Sequence, residues 1–208
     1  MPSLLHLSAS PRGADSESLL LANDFLAAYR EAHPDHEIAH WDLWDGTLPE
    51  FGPTAAHAKM AVFAGRDLDA AQRDVWREVV AAFARFDAAE HYLFSVPMWN
   101  HGVPYVLKQF IDVVSQPGMV FALDPASGYR GLLRGKKAAV VYSSAVYAPG
   151  RGPAFGEDFQ TNYLEGWLRW AGVADVETIA LRPDAASGGV ASGRATAQEE
   201  ARAVAAGF

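Results

Sequence analysis

The sequence has no cysteine. That excludes disulfides, thiolate metal sites and a cysteine nucleophile, and it leaves the compartment open. Basic residues are few beside acidic ones: 17 Lys and Arg against 25 Asp and Glu, for a formal net charge of −8. Phosphate backbones are bound by basic surfaces, so a nucleic-acid partner is disfavoured. The same balance argues against anchoring on an anionic membrane. No basic-then-apolar leader opens the chain, and no apolar run is long enough to span a bilayer. The expectation is a soluble, cytoplasmic protein. Glycine fingerprints are missing too. After the first apolar run Gly13 is the only glycine, where a dinucleotide fold would want Gly-x-Gly-x-x-Gly. The Lys-Ser/Thr pair of a nucleotide P-loop is absent, and Ser8-Ala9-Ser10 supplies no carboxylates for a magnesium ion.

What is present suffices for one α/β domain over residues 1 to 208, half of them apolar. Short apolar runs at Leu4 to Ser8, Glu37 to Leu43, Tyr92 to Val96, Ala138 to Ser143 and Val176 to Leu181 read as strands. Helical segments lie between them: Leu19 to His33, Ala70 to Phe86, Val103 to Val114, Phe159 to Ala171 and, closing the chain, Arg194 to Ala206. Gly172 reads as a helix C-cap. Asp45 to Asp69, with a short helix over Ala55 to Ala64, and Gln116 to Gly135 read as irregular. A flexible loop is read over Pro183 to Gly193. This alternation predicts a doubly wound parallel sheet of five strands, helices on both faces, in the order 2-1-3-4-5.

In such a sheet ligands bind where the strands' C-terminal ends meet the loops. Three loops converge there. The first, Ala9 to Ser18, carries Ser10, Arg12, Ser16 and Ser18 at the mouth of a helix, where hydroxyls, free N–H groups and the positive dipole end suit a single phosphate. Ser16 acting as a plain N-cap is the competing reading. The second, Pro97 to His101, offers an amide at Asn100 between Met98, Trp99 and His101; an ordinary βα loop covering a helix end is the alternative. The third begins at Ser143-Ser144-Ala145-Val146-Tyr147. A phosphate cradle beside an aromatic, amide-bearing turn describes a mononucleotide with a large flat ring, and flavin mononucleotide in a flavodoxin-like sheet fits that description.

Longer motifs carry a resemblance over nearly the whole chain. They are Leu4-Leu5-His6-Leu7-Ser8-Ala9-Ser10-Pro11-Arg12, Ser16-Glu17-Ser18, Pro97-Met98-Trp99-Asn100, Leu107-Lys108-Gln109-Phe110-Ile111-Asp112, and Gly131-Leu132-Leu133 with Gly135-Lys136-Lys137-Ala138. The sequence resembles the FMN-dependent NADH:quinone oxidoreductases, also called FMN-dependent NADH-azoreductases. The resemblance implies one tightly bound FMN per subunit, with NADH as donor. Two electrons would pass through flavin N5 to quinones and, by the same route, cleave azo compounds, with no metal and no protein nucleophile. It implies phosphate contacts from Ser10 and Ser16-Glu17-Ser18, and ring contacts from Met98-Trp99-Asn100-His101 and Ser143-Ser144-Ala145-Val146; Arg12 and Pro97, beside them in the same loops, complete the expected cofactor-binding set. The family pattern at the last segment is Ser-Arg-Gly-Gly. Ala145 and Val146 carry a Cβ and disfavour positive φ, so the backbone would meet the ring differently. His101 stands where an apolar aromatic is common. The resemblance further implies a homodimer with the site at its interface. Phe121, Tyr147, Phe159 and Trp167 are the candidates for the substrate pocket. The rival class is a flavodoxin-type electron carrier, which would be monomeric; a flavin-free scaffold is a third.

Overall fold

The computed structural model describes residues 3–183 and 191–208. In chain order the elements are β1 (Leu4–Ser8), α1 (Glu17–Ala32), β2 (Ile38–Asp42), α2 (Pro53–Phe63), α3 (Ala70–Asp87), β3 (His91–Pro97), α4 (Tyr105–Val114), β4 (Phe121–Asp124), β5 (Gly128–Gly131), β6 (Lys137–Ser143), α5 (Thr161–Ala171), β7 (Asp175–Leu181) and α6 (Ala191–Ala206). Five strands form one parallel sheet in the order β2-β1-β3-β6-β7. In sequence order of its own strands that is 2-1-3-4-5, as expected.

Burial follows sheet position. The central strands β1, β3 and β6 are buried almost end to end, as continuous apolar runs covered on both faces must be. Edge strands β2 and β7 alternate or stay half-exposed. Along each strand the side chains divide between two cores, as the period of two requires. Leu5, Leu7, Tyr92, Phe94 and Val140 join Phe86, Phe110 and Trp167 on one face. Leu4, Leu93 and Val141 join Phe25, Ile179 and Phe208 on the other.

Helix boundaries have local causes. Ser16 caps α1 by accepting a hydrogen bond from the Leu19 N–H. Asp69 and Gln72 form a reciprocal capping box at the start of α3. Gly172 ends α5 in a left-handed conformation at φ 107°. Pro104 delays the fourth helix to Tyr105, and its carbonyl receives the Leu107 and Lys108 N–H groups.

Two expectations are corrected. Gln116 to Gly135 is not irregular throughout, because it contains the antiparallel hairpin β4–β5. Phe159 is not helical: α5 starts at Thr161, held by the Asp158 carboxylate, which accepts from the Gln160 and Thr161 N–H groups. The loop read over Pro183 to Gly193 falls, at 184–190, outside the described residues, and α6 begins at Ala191, three residues before its expected start. Among the described residues no helix is long and apolar enough to cross a membrane.

Candidate active site

The sheet's C-terminal edge is assembled by backbone bonds between its loops. The Ala9 N–H donates to the Ser95 carbonyl at 3.0 Å, which ties the first loop to β3. The Met98 N–H donates to the Ser143 carbonyl at 2.7 Å, which ties the second loop to the end of β6. The Ser144 N–H donates to Leu181, which ties the third to β7. Three loops that are far apart in sequence therefore share one rim.

In the first loop the Arg12 N–H donates to Ser10 Oγ at 3.3 Å. A single 3-10 turn over Gly13–Asp15 then delivers Ser16. Ser16 Oγ lies 3.1 Å from Ser18 Oγ, so the two hydroxyls share a hydrogen bond. Glu17 and Ser18 are the first residues of α1, where backbone N–H groups have no acceptor within the helix.

The second loop is a tight two-residue turn. Trp99 and Gly102 exchange both backbone bonds, at 2.9 and 3.0 Å, around Asn100 and His101. Both central residues have positive φ, 48° and 70°, the only non-glycine cases among the described residues. That is the type I′ geometry, which favours Asn and tolerates His better than most residues. The His101 carbonyl accepts from the Phe159 N–H at 3.0 Å, and its Nδ1 accepts from the Glu157 N–H at 3.1 Å. A nitrogen that accepts carries no hydrogen, so a neutral ring bears its proton on Nε2.

These loops enclose a cavity of about 430 Å³. Ser10, Arg12, Ser16 and Glu17 line one part of it, and Pro97, Met98, Trp99 and Asn100 line another, with Ser143, Ser144 and Ala145 closing it. A second cavity of about 350 Å³ shares Met98, Asn100, Ser144 and Ala145 with the first. It adds His101, Val146, Tyr147 and Phe155. Neither Ala145 nor Val146 adopts positive φ, so this segment keeps the ordinary backbone that its Cβ atoms require. The Ser144 hydroxyl donates to the Tyr147 carbonyl and closes the turn.

Thirteen of the fourteen expected cofactor residues, all but Ser18, line these two cavities. Ser18 is fully buried behind Ser16 and lines neither. Of the four expected substrate-pocket residues, Tyr147 lines the second of these cavities, and Phe121, Phe159 and Trp167 line neither. Within the chain Trp167 packs against Phe86 and Phe110 in the core, and its indole donates to Ser115 Oγ at 2.9 Å. Phe121 is buried in the hairpin against Tyr129 and Trp170. Phe159 is exposed beside the turn and borders neither cavity.

Beneath the rim lies a network that local sequence does not announce. Gln160 is fully buried, and its amide donates to the Val96 carbonyl at 3.0 Å. Arg182 bonds to Gln160 Oε1, Asp158 Oδ2 and Thr161 Oγ1 at 3.0 to 3.3 Å. Its guanidinium also stands 5.0 Å from the centre of the Tyr147 ring. Burial lowers the Arg182 pKa and the Asp158 carboxylate opposes that shift.

The donor set fits FMN. Hydroxyls, a guanidinium and free helix N–H groups sit at one end of the cavity, as a phosphate requires. A thioether, an indole and an amide on a rigid turn sit at the other, as a flat heteroaromatic ring requires.

Comparison with known proteins agrees with this geometry. The model of a family described as having a flavodoxin-like fold matches residues 2–206. An FMN-dependent NADH:quinone oxidoreductase of Ruegeria pomeroyi is 43% identical over 183 residues, covering 88% of this chain and 90% of its own. An FMN-dependent NADH:quinone oxidoreductase of Burkholderia lata, numbered 9, is 40% identical over the full length of both. The crystal structure of an azoreductase from Bacillus anthracis superposes with a TM-score of 0.89 at 27% identity, covering all of both chains. The chain belongs to the family of FMN-dependent NADH:quinone oxidoreductases, built on the flavodoxin-like fold.

Proposed function

We propose that this protein is an FMN-dependent oxidoreductase that passes two electrons from NADH to quinones and, by the same route, cleaves aromatic azo compounds. One observation carries the reading. Three loops from separate strands meet at one cavity with phosphate donors at one end and an aromatic turn at the other. Bound FMN supplies the redox chemistry, and the protein supplies position and electrostatics. Ser10, Arg12, Ser16 and the N–H groups of Glu17 and Ser18 hold the phosphate. Met98, Trp99 and Asn100, with Ser143 to Ala145, bracket the ring. NADH and the acceptor occupy the second cavity in turn, between His101, Val146, Tyr147 and Phe155. His101 uses Nδ1 to hold its place and keeps Nε2–H as the donor for an acceptor's oxygen or nitrogen.

The whole chain acts as one FMN-binding domain in the cytoplasm, as a homodimer. Exposed Trp99, Tyr105, Phe159 and Tyr163 support a partner subunit at the rim of the site. Size-exclusion chromatography with light scattering is expected to give twice the mass of one chain.

The test is the visible spectrum of the purified protein with FMN, before and after anaerobic NADH. Bound flavin that bleaches and recovers on adding benzoquinone is the expected result. Flavin that binds but resists NADH would make the protein an electron carrier instead. Absence of flavin binding would overturn both.

A further inference from the structure

Glu17 places a carboxylate where the cofactor's own anion belongs. It is the first residue of α1, and it lines the cavity beside Ser10, Arg12 and Ser16. The start of a helix attracts any anion, side chain or ligand. A phosphate monoester carries nearly two negative charges at neutral pH, so a free carboxylate beside it competes and repels. The structure shows where that carboxylate goes. Arg194 Nη2, on α6 and 177 residues further along the chain, donates to Glu17 Oε1 at 2.7 Å. Glu17 Oε2 is buried, and among the described residues it has no hydrogen-bond partner.

The helix that carries Arg194 is fixed along α1. Ala197 and Ala201 are buried in the shared core. Gln198 Nε2 and Arg202 Nη2 both bond to the Asp24 carboxylate, at 3.0 and 3.2 Å. Arg194 is thus held at the end of α6 that meets the first turn of α1.

We propose that Arg194 is a positioning residue of the phosphate cradle, which neutralises Glu17 and holds its carboxylate aside so that the start of α1 accepts the FMN phosphate. The proposal rests on the FMN reading above. Coupling between two sites is reciprocal, so FMN in the cradle also strengthens the hold of α6 on α1.

The test uses full-length apoprotein titrated with FMN and, separately, with riboflavin, which lacks the phosphate. Quenching of flavin fluorescence gives Kd. Arg194→Ala is expected to weaken FMN about tenfold, the scale of one partly screened like-charge contact, and to leave riboflavin unchanged. The loss should shrink as salt rises. Arg194→Lys keeps the charge and should stay near the parent protein. Glu17→Gln should bind FMN at least as tightly as the parent, and Glu17→Gln with Arg194→Ala should regain that affinity. Parental FMN affinity in Arg194→Ala overturns the proposal. So does a double variant as weak as Arg194→Ala, or an equal loss for riboflavin, which would mean a general disturbance. If Arg194→Ala does not fold, Arg194→Gln in the Glu17→Gln background decides, with loss of FMN affinity counting against the proposal. A parent protein that binds neither flavin would instead sink the FMN reading itself.

Discussion

At the scale of single residues the second loop shows how little chemistry is needed to shape the site. His101 sits at φ 70°, where a Cβ is disfavoured, and three contacts hold it there. Its carbonyl receives Phe159, its Nδ1 receives Glu157, and its ring lies against Gly156, where an added Cβ would come within 3.3 Å of it. Phenylalanine would keep the ring and lose both the acceptor and the remaining N–H. His101→Phe is expected to bind FMN within about threefold of the parent. It should lose about tenfold in kcat/KM for benzoquinone, the weight of one neutral hydrogen bond. Fluorescence titration and steady-state kinetics separate the two effects. His101→Val would place a β-branched residue in the left-handed region, and it should lower stability by about 1 to 2 kcal/mol in thermal unfolding.

At the scale of elements, packing decides which glycines can change. Gly131 ends β5 against the C-terminus of α5, and an added Cβ would lie 2.4 Å from backbone atoms of Ala171 and Gly172. Backbone on both sides leaves no way to give. Gly131→Ala is expected to cost about 3 kcal/mol in urea unfolding and to loosen the hairpin. Gly166 lies exposed on α5, and a Cβ there would meet nothing within 4 Å. Gly166→Ala should stabilise by about 0.5 to 1 kcal/mol through helix propensity. The same elements show what a sequence reveals. Strands β1, β3 and β6 were legible because buried parallel strands are continuous apolar runs. The hairpin was not, because two four-residue strands carrying Asp124, Tyr129 and Arg130 have no period to read. The three loops were legible because strand ends locate them without any knowledge of side-chain contacts. The packing of Trp167 and Phe121 within the chain was not legible, because an aromatic at helical or strand spacing reads alike whether it faces a core or a pocket. Gln160 and Arg182 were unseen because the partners of their side chains lie 21 to 64 residues away.

At the scale of the whole molecule, histidines on the strands of the sheet tie stability to pH. His6, on β1, is almost fully buried between His40 and Ser95. Its Nδ1 lies 3.3 Å from His40 Nδ1, and its Nε2 lies 3.1 Å from Ser95 Oγ. Burial, reinforced by the neighbouring His40, pulls its pKa down from 6.5 to about 3. Burial lowers His40 and His91 as well. The sign follows from proton counting: between pH 6.5 and 3 the unfolded chain binds a proton at His6 that the native state refuses. Stability from this residue is therefore complete above pH 6.5 and is lost as pH falls toward 3. The loss is about 2 kcal/mol between pH 6.5 and pH 5, since each pH unit in that window costs about 1.4 kcal/mol. Urea unfolding at a series of pH values should show a decline that begins near 6.5, above the range where carboxylates titrate. His6→Gln keeps a polar side chain facing Ser95 and removes the titration. It should be less stable than the parent at pH 7.5, and the two curves should converge by pH 5. Parallel curves for parent and variant would show that His6 does not set the acid limit, and would move that role to His40, His91 and the carboxylates.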